Sequence, residues 1–373
     1  MNDRRYWIGF NKVRGIGPAK LRALLDHFSD LETAWNAPRA ELVAAGLDRR
    51  ALASLETART VIDLAGLEAE IEKAGLQMVC WADAAYPRRL REIDHPPPLL
   101  FFRGTLTEAD EWAVAIVGTR RATVYGKEVA HELAAALASA GVTIVSGFAR
   151  GVDAAAHVAA LEAGGRSLAV LGSGLDQLYP AEHAVLAERM VANGALLSDY
   201  PLGTPPEASN FPPRNRIISG LTLGVIVVEA ADDSGALITT DFAMEQGREV
   251  FAVPGNILNR NSRGPNKLIQ QGAKVVLKAE DVLEELNLKM AVHQAKARAQ
   301  LSLFDGADET ERTLLACLSA EPLHADELSV LTRLPIVTVS SALAMMELKG
   351  MARQVSGMTY ILARERRVDY KVE

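Results

Sequence analysis

The chain has little cysteine and few aromatic residues. Of its 373 residues, 2 are Cys and 5% are Phe, Trp or Tyr. Cys80 and Cys317 lie far apart and in different predicted domains, so they provide neither a disulfide framework nor a CxxC metal site. The seven histidines form no cluster with the spacing of metal ligands. We therefore expect neither a metal nor a cofactor.

Long hydrophobic runs are also missing. No apolar run approaches the roughly 18 residues that a membrane span needs. The N-terminus, with Asp3, Arg4 and Arg5 ahead of a mixed segment, lacks the hydrophobic region of a signal peptide. These absences predict a cytoplasmic protein without a membrane span.

The chain has no excess of positive charge, since its formal net charge is -7. This charge argues against a basic surface that wraps duplex DNA, but it leaves room for one local basic pocket. The 49% of hydrophobic residues suffice for a large core with one or two satellite domains.

The ends of the chain differ in pattern from its middle. Residues 1–75 have the apolar spacing of short helices, and residues 76–110 form a proline-rich connector that we expect to pack as extended chain on the central domain. Residues 289–309 lose periodicity and resemble a linker. Residues 310–373 show three helices at 313–319, 325–332 and 336–349, then a hairpin ending near 361. That order is typical of a winged helix, and a small α+β protein-binding module remains the alternative.

The middle, residues 111–288, alternates apolar β-branched runs with amphipathic helices such as 126–140 and 151–163. This alternation predicts an α/β fold with an extended, Rossmann-like, doubly wound and mostly parallel sheet. The candidate strands are 114–117, 142–145, 168–171, 195–198, 225–228, 250–253 and 275–277.

Small, polar and basic residues follow the first two of these strands. In open parallel sheets, ligands bind where strands end and helices begin, because helix N-termini present unpaired N–H groups. We expect a phosphate-binding edge there, formed by Gly118, Thr119, Arg120, Ser146, Gly147, Arg150 and Gly151. No GxGxxG follows the first strand and no GxxxxGK[ST] occurs, so the phosphates need not belong to NAD or ATP.

Two acid-base candidates lie beside this edge. Asp153 is expected to cap a helix or lie in its first turn, and His157, four residues later, is in position to pair with it. A structural role is expected for both residues.

A second basic segment spans residues 210–219. Phe211 offers a stacking face, and Arg214, Asn215 and Arg216 offer phosphate contacts, a combination that suits a strand of nucleic acid. The alternative is that Phe211 anchors the core and the arginines are surface charges. Ser234 and Gly235 open a further helix at the same edge. Glu229 is either a catalytic carboxylate or, as we prefer, the ion-pair partner of Arg214 or Arg216.

The N-terminal segment 13–21 contains the Gly-Ile-Gly turn of a helix-hairpin-helix. The glycines of such a turn let backbone amides meet a DNA phosphate, although many such hairpins serve only in packing.

With these motifs, the chain resembles the DNA-processing protein A (DprA, or Smf) family over nearly its whole length. The resemblance implies an extended Rossmann domain, single-stranded DNA binding, a homodimer through that domain, and loading of RecA recombinase onto incoming DNA in natural transformation. It also implies that Arg120 and Arg150 are DNA contacts, with Arg150 where relatives often have lysine; single-strand-binding protein is a further candidate partner. The matching segments are 86–87 (YP), 98–104 (PLLFFRG), 116–120 (IVGTR), 145–153 (VSGFARGVD), His157, 179–180 (YP), 211–216 (FPPRNR), 228–230 (VEA), 234–235 (SG) and 253–255 (VPG).

Two alternatives compete with a DNA-binding protein that is not an enzyme. The first is a phosphoribohydrolase of the lysine-decarboxylase-like group that uses Glu229, but residues 229–240 lack the PGGxGTxxE string of those enzymes. The second is a regulator that reads duplex DNA with the winged helix. Its predicted third helix has no Arg or Lys before Lys349, so it lacks the basic side chains with which a recognition helix contacts bases and phosphates in the major groove.

Overall fold

The computed structural model describes residues 4–288, 309–318, 322–348 and 351–362. The chain divides into two compact units, Met1–Val292 and His293–Glu373. The first unit holds an N-terminal helical module and the large sheet.

The N-terminal module consists of six short helices around one apolar cluster that includes Trp7, Phe10 and Trp35. Aspartates cap the N-termini of three of these helices. Each accepts a hydrogen bond from a backbone N–H of the first turn, and the three are Asp30, Asp48 and Asp63. The helices are α1 (Arg4–Lys12), α2 (Pro18–Phe28), α3 (Leu31–Asn36), α4 (Arg39–Ala44), α5 (Arg49–Val61) and α6 (Leu64–Lys73).

The sheet has nine strands in the order β1-β2-β6-β5-β4-β3-β7-β8-β9. All seven strands predicted from the sequence are present with bounds shifted by at most two residues, and they run parallel from β6 to β9. The predicted fold class is therefore confirmed. The strands are β1 (Gln77–Cys80), β2 (Leu99–Gly104), β3 (Ala113–Val117), β4 (Thr143–Ser146), β5 (Ser167–Val170), β6 (Gly194–Ser198), β7 (Gly224–Val227), β8 (Glu249–Ala252) and β9 (Lys274–Val275).

The connector contributes two of these strands. β1 pairs antiparallel with β2, and β2 pairs antiparallel with β6. Side chains of β2 alternate between the faces of the sheet: Leu99 and Phe101 join the cluster of the N-terminal module, whereas Leu100 and Phe102 join a cluster of the main sheet. The extended segment therefore fixes the helical module to the sheet edge.

Helices cover both faces of the parallel part. Ile116 and Ile144 pack against α8 and α9 on one face, while Val145 and Val225 pack towards α11 on the other. The chain proceeds from β3 to β6 in one direction and returns to the other side of β3 for β7, so the topological switch point lies between β3 and β7. The helices are α7 (Arg88–Arg91), α8 (Val124–Ser139), α9 (Val152–Glu162), α10 (Ala184–Ala192), α11 (Phe211–Gly220), α12 (Gly235–Glu245), α13 (Arg263–Gln270) and α14 (Ala279–Glu285).

The second unit has the predicted order of three helices and a hairpin. Its core includes Leu314, Leu328, Leu343 and Tyr360. Most of the predicted linker at 289–309 lies outside the described residues. The elements are α15 (Glu309–Cys317), β10 (Leu323–His324), α16 (Ala325–Thr332), α17 (Ile336–Leu348), β11 (Ala352–Ser356) and β12 (Thr359–Leu362), with the sheet order β10-β12-β11.

In the part of the chain that is described, no single helix has the length and apolar composition of a membrane span. The pair Ala325–Thr332 and Ile336–Glu347, bent by 114°, meets that criterion only when its two helices are taken together.

Candidate nucleic-acid interface

A cleft of about 650 Å³ opens at the carboxyl ends of the central strands, next to the switch point. Nine of the predicted site residues line it, whereas Ser146, Arg150, Gly151 and Arg216 do not. The fold therefore brings together segments that are about 100 residues apart in the sequence, such as those around Arg120 and Phe211. The lining residues from the prediction are Gly118, Thr119, Arg120, Gly147, Phe211, Arg214, Asn215, Ser234 and Gly235.

Two glycines allow the turns beneath the cleft to approach each other. Gly151 has φ +79°, and a Cβ there would lie 2.3 Å from the Thr119 carbonyl oxygen. A Cβ on Gly147 would lie 2.8 Å from a carboxylate oxygen of Asp153 and 2.9 Å from Nη2 of Arg214. Glycine is therefore required at both positions for the close packing of these turns.

Arg120 is an exposed cation in the lining of the cleft. Its guanidinium carbon lies 4.9 Å from the centroid of the Phe211 ring. Within the described residues, the Arg120 side chain makes no hydrogen bond or ion pair. The planar donor fork is thus oriented by a ring while its charge stays available to an anion.

Phe211 itself is half-buried. Two further groups contact its ring besides Arg120. The guanidinium carbon of Arg214 lies 5.6 Å from the Phe211 centroid, and the centroid of the Tyr179 ring lies 5.9 Å from it. Phe211 therefore anchors two arginines and offers less free ring surface than the sequence predicts.

Arg150 lies on the outer rim and is engaged with a neighbour. Its Nε and Nη2 donate to the Glu182 carboxylate, with 2.8 Å between Nη2 and Oε2. These hydrogen bonds, donated by Arg150 to Glu182, raise the pKa of Arg150 and lower the pKa of Glu182. A phosphate at Arg150 would compete with this exposed carboxylate.

Arg214 lies in the floor of the cleft rather than on its rim, with 4% of the residue exposed. Its Nη1 donates to the carbonyl oxygens of Gly147, at 2.7 Å, and Val170. Burial lowers the pKa of Arg214 to about 10, and the nearby Asp153 charge opposes this. Arg214 thus holds β4 and β5 together, and its direct contact with a phosphate stays a prediction.

Asp153 and His157 are both buried and do not pair with each other. The Asp153 carboxylate accepts hydrogen bonds from the amides of Gly147 and Ala149, at 3.1 and 3.2 Å, and burial raises its pKa to about 6. Nδ1 of His157 lies 2.8 Å from the Ser167 hydroxyl, and burial lowers the pKa of His157 to about 3. Asp153 thus organises the turn after β4 and His157 links α9 to β5, as expected for structural groups.

The expected ion pair between Glu229 and Arg214 or Arg216 is wrong. Glu229 accepts hydrogen bonds from the backbone amide and the hydroxyl of Thr123, at 2.9 and 2.6 Å, which fixes the start of α8. Arg216 instead pairs with Asp199 at 2.8 Å, where both side chains are 15% exposed. Asp199, directly after β6, therefore takes the place that we expected Glu229 to have as the partner of Arg216.

The remaining predicted residues have local structural partners. The buried Ser146 hydroxyl donates to the Ile116 carbonyl at 2.6 Å, and the Asn215 amide donates to the Gly235 carbonyl at 3.2 Å. The Ser234 hydroxyl accepts from the Ala236 amide at 3.4 Å and begins α12.

Sequence reasoning did not single out Arg121 and Tyr179 as site residues. Both line the cleft, and Tyr179 is 37% exposed. The adjacent Arg120–Arg121 pair and the Tyr179-Pro180 motif were the available signals, but the position of the 179 loop depends on packing against α11. Among the residues with described positions, no group of three His, Cys, Asp or Glu side chains converges as a metal site requires.

Comparisons with known proteins agree with this architecture. Residues 77–287 match the profile of DNA recombination-mediator protein A, and residues 294–358 match the DprA winged helix domain. Protein Smf of Synechocystis is 35% identical over 392 residues, covering 96% of this chain and 98% of that protein.

Two solved structures are also similar. DNA processing protein A from Streptococcus pneumoniae has a TM-score of 0.68 and 38% identity, covering 75% of this chain and 97% of that one. The protein of the same name from Helicobacter pylori, described for its unique single-stranded DNA binding mode, has a TM-score of 0.51 and 30% identity, covering 56% of this chain and 95% of that one. The chain therefore belongs to the DprA (Smf) family of DNA recombination-mediator proteins.

Proposed function

We propose that this chain binds single-stranded DNA in the cleft and hands the strand to RecA recombinase, without covalent chemistry. The observation that carries the proposal is Arg120, an exposed guanidinium that a ring orients and that pairs with no carboxylate in the described part of the chain. The similarity to the Helicobacter pylori protein, whose structure concerns single-stranded DNA binding, supports the same ligand.

The cleft suits a sugar-phosphate chain because its donors are fixed in advance. Arg120 supplies the fork for one phosphate, and α9 and α12 begin at the cleft, so the positive ends of their helix dipoles lie close by. The buried Arg214 adds positive charge from below. Since Phe211 is covered by arginines, we assign base stacking to the more exposed ring of Tyr179.

Glu229 and His157 are the natural candidates for acid-base chemistry at this edge, and neither is free for it. Glu229 is 1% exposed and both its oxygens accept hydrogen bonds from Thr123. His157 is fully buried, and its low pKa keeps it neutral. These contacts favour a binding protein over a phosphoribohydrolase.

Delivery to RecA and a homodimer through the sheet domain complete the proposal, on the strength of family membership. A protein that holds the backbone leaves most bases open, which is what a recombinase needs to form a filament. Two linked clefts would raise avidity for long strands without new contacts. Single-strand-binding protein is a further candidate partner.

The test is fluorescence anisotropy with a labelled oligothymidine and with a duplex of equal length. Arg120→Glu should weaken single-strand binding about tenfold or more, because a charge-assisted phosphate contact becomes repulsive. It should also make the dependence of log K on log salt shallower by about 0.7. Unchanged affinity in Arg120→Glu would overturn the proposal, and so would a preference for the duplex.

Arg88→Glu is the matched control. Arg88 is also an exposed arginine, with 82% of its side chain exposed, and its one ion pair among the described residues is with Glu92, directly after the same helix. Its helix lies at the opposite, amino edge of the sheet, since neighbouring Arg89 contacts the Glu111 carbonyl ahead of β3. RecA delivery is then measured as the lag before RecA ATPase begins on single strands coated with single-strand-binding protein, which wild type should shorten and Arg120→Glu should not.

A further inference from the structure

Two turns of the N-terminal module lie side by side and form what we call the basic tip, residues 13–20 and 45–51. Gly15 in the first turn and Gly46 in the second have φ +89° and +94°. A Cβ on Gly15 would lie 4.0 Å from the Cα of Ala51. Lys20 connects the turns, because its Nζ lies 2.9 Å from the Gly15 carbonyl and 2.5 Å from the Asp48 carboxylate.

The basic tip carries four cations and one carboxylate. The cations are Arg14, Lys20, Arg49 and Arg50, and the carboxylate is Asp48. Asp48 is already engaged, since it accepts hydrogen bonds from Lys20 and from the Ala51 amide. The three arginines are exposed and make no hydrogen bond or ion pair within the described residues. Such a local excess stands out in a chain of net charge -7.

We propose that the basic tip is a second phosphate-binding surface, which contacts the same single strand of DNA beyond the cleft. This inference rests on the proposed function of the cleft. The tip would extend the site, so that a long strand gains contacts that a short one cannot reach.

The position of the module on the sheet supports a shared strand. The Asn11 amide donates to the Asp199 carbonyl at 3.1 Å, just after β6, and the Asp199 carboxylate binds Arg216 in α11. Arg14 is three residues from Asn11, hence at most about 10 Å away. Along α11, Arg216 lies about 7.5 Å from Phe211 in the cleft. The tip is therefore on the carboxyl side of the sheet, several nucleotides from Arg120.

The chemistry of the tip favours phosphates over bases. Residues 13–20 and 45–51 contain no aromatic side chain, and the apolar Val13 and Ile16 are buried. Guanidinium groups beside the starts of α2 and α5 suit sequence-independent backbone contacts.

The test compares labelled oligothymidines of about 4 and about 50 nucleotides, the shorter at the lower end of the single-strand site sizes, so that it cannot reach from the cleft to the tip. For Arg14→Glu/Arg49→Glu, affinity for the long strand should fall about tenfold, and the salt slope should become shallower by about 1.4, because two phosphate contacts are lost. Affinity for the short strand should not change. Arg14→Glu/Arg50→Glu serves as a second variant, and circular dichroism melting checks that each variant is folded.

Arg39→Glu is the control, compared with Arg14→Glu alone. Arg39 lies in the same module, its side chain is 54% exposed, and it pairs with Glu56 away from the basic tip. Unchanged long-strand affinity in both tip variants would overturn the inference, as would equal losses on the two lengths or a loss seen only with duplex. Arg120→Glu separates this result from the proposed function, since it should weaken binding at both lengths.

Discussion

The guanidinium carbon of Arg120 lies 4.9 Å from the centroid of the Phe211 ring, and this stacking is what holds an unpaired cation in one orientation. The two residues come from different turns, after β3 and at the start of α11, and they meet only because the strand order brings both to the switch point. Phe211 is thus a support for Arg120 more than a platform for a base.

Removing that support should weaken DNA binding without removing a phosphate contact. Phe211→Ala is expected to reduce single-strand affinity by about threefold to tenfold, the range of a cation–π contact. Its salt slope should match wild type, because Arg120 keeps its charge. In an Arg120→Ala background the same substitution should have little effect, which a double-mutant cycle by anisotropy measures. Additive losses would contradict the supporting role.

Arg214 should matter for stability as well as for binding. Arg214→Leu leaves the carbonyls of Gly147 and Val170 without their donor and removes the cation near Asp153. We expect the free energy of unfolding in urea to fall by about 3–5 kcal/mol. Arg88→Leu, at an exposed position, should change it by no more than about 0.5 kcal/mol. Equal effects of the two substitutions would show that the buried guanidinium is not structural.

Acidification should act in opposite directions through two separate buried groups, Asp153 and His157. His157, with its pKa lowered to about 3 from 6.5, takes up a proton in the unfolded state first, so acidification below 6.5 favours unfolding. Asp153, with its pKa raised to about 6 from 3.8, is protonated first in the folded state, so acidification between these values favours folding. Each effect approaches about 1.4 kcal/mol per pH unit.

Variants separate these two effects. Between about pH 6.5 and 4, Asp153→Asn should lose stability more steeply than wild type, and His157→Gln less steeply. Urea unfolding at several pH values gives the slopes. Three parallel profiles would show that neither group changes protonation between the folded and unfolded states.

Glu229 is predicted to act through Thr123 alone. Glu229→Gln and Thr123→Ala should each lower the free energy of unfolding by about 1–2 kcal/mol, since they disturb the same capped helix start. Combined, they should cost clearly less than the sum of the two. Base release from nucleoside monophosphates should be undetectable in wild type, and turnover that Glu229→Gln abolishes would restore the enzyme hypothesis.

The sequence predicts the parallel strands well, because each is a short apolar run bounded by turns and helices. It does not predict that the connector pairs with the sheet, since Gln77–Cys80 and Leu99–Gly104 acquire partners only through antiparallel pairing with each other and with β6. Pairing at a distance has no local signal.

The same limit applies to the cleft. Glycines and arginines at strand ends identify its position, but the state of each arginine depends on distant carboxylates. Glu182 engages Arg150 from 32 residues away, and Asp199 engages Arg216 from 17 residues away. The sequence contains many such carboxylates and does not show which of them each arginine meets. That Arg120 and Arg121 pair with no carboxylate among the described residues emerges only from the folded chain.

The pairing of β2 with β6 also bears on how the protein is made. During synthesis, Leu99–Gly104 leaves the ribosome long before Gly194–Ser198 is made. Until then, the edge of this apolar strand that later pairs with β6 has no partner strand. Such an exposed edge is prone to pair with other chains. We therefore expect fragments that stop before residue 194 to aggregate, and the nascent chain to depend on chaperones until β6 emerges.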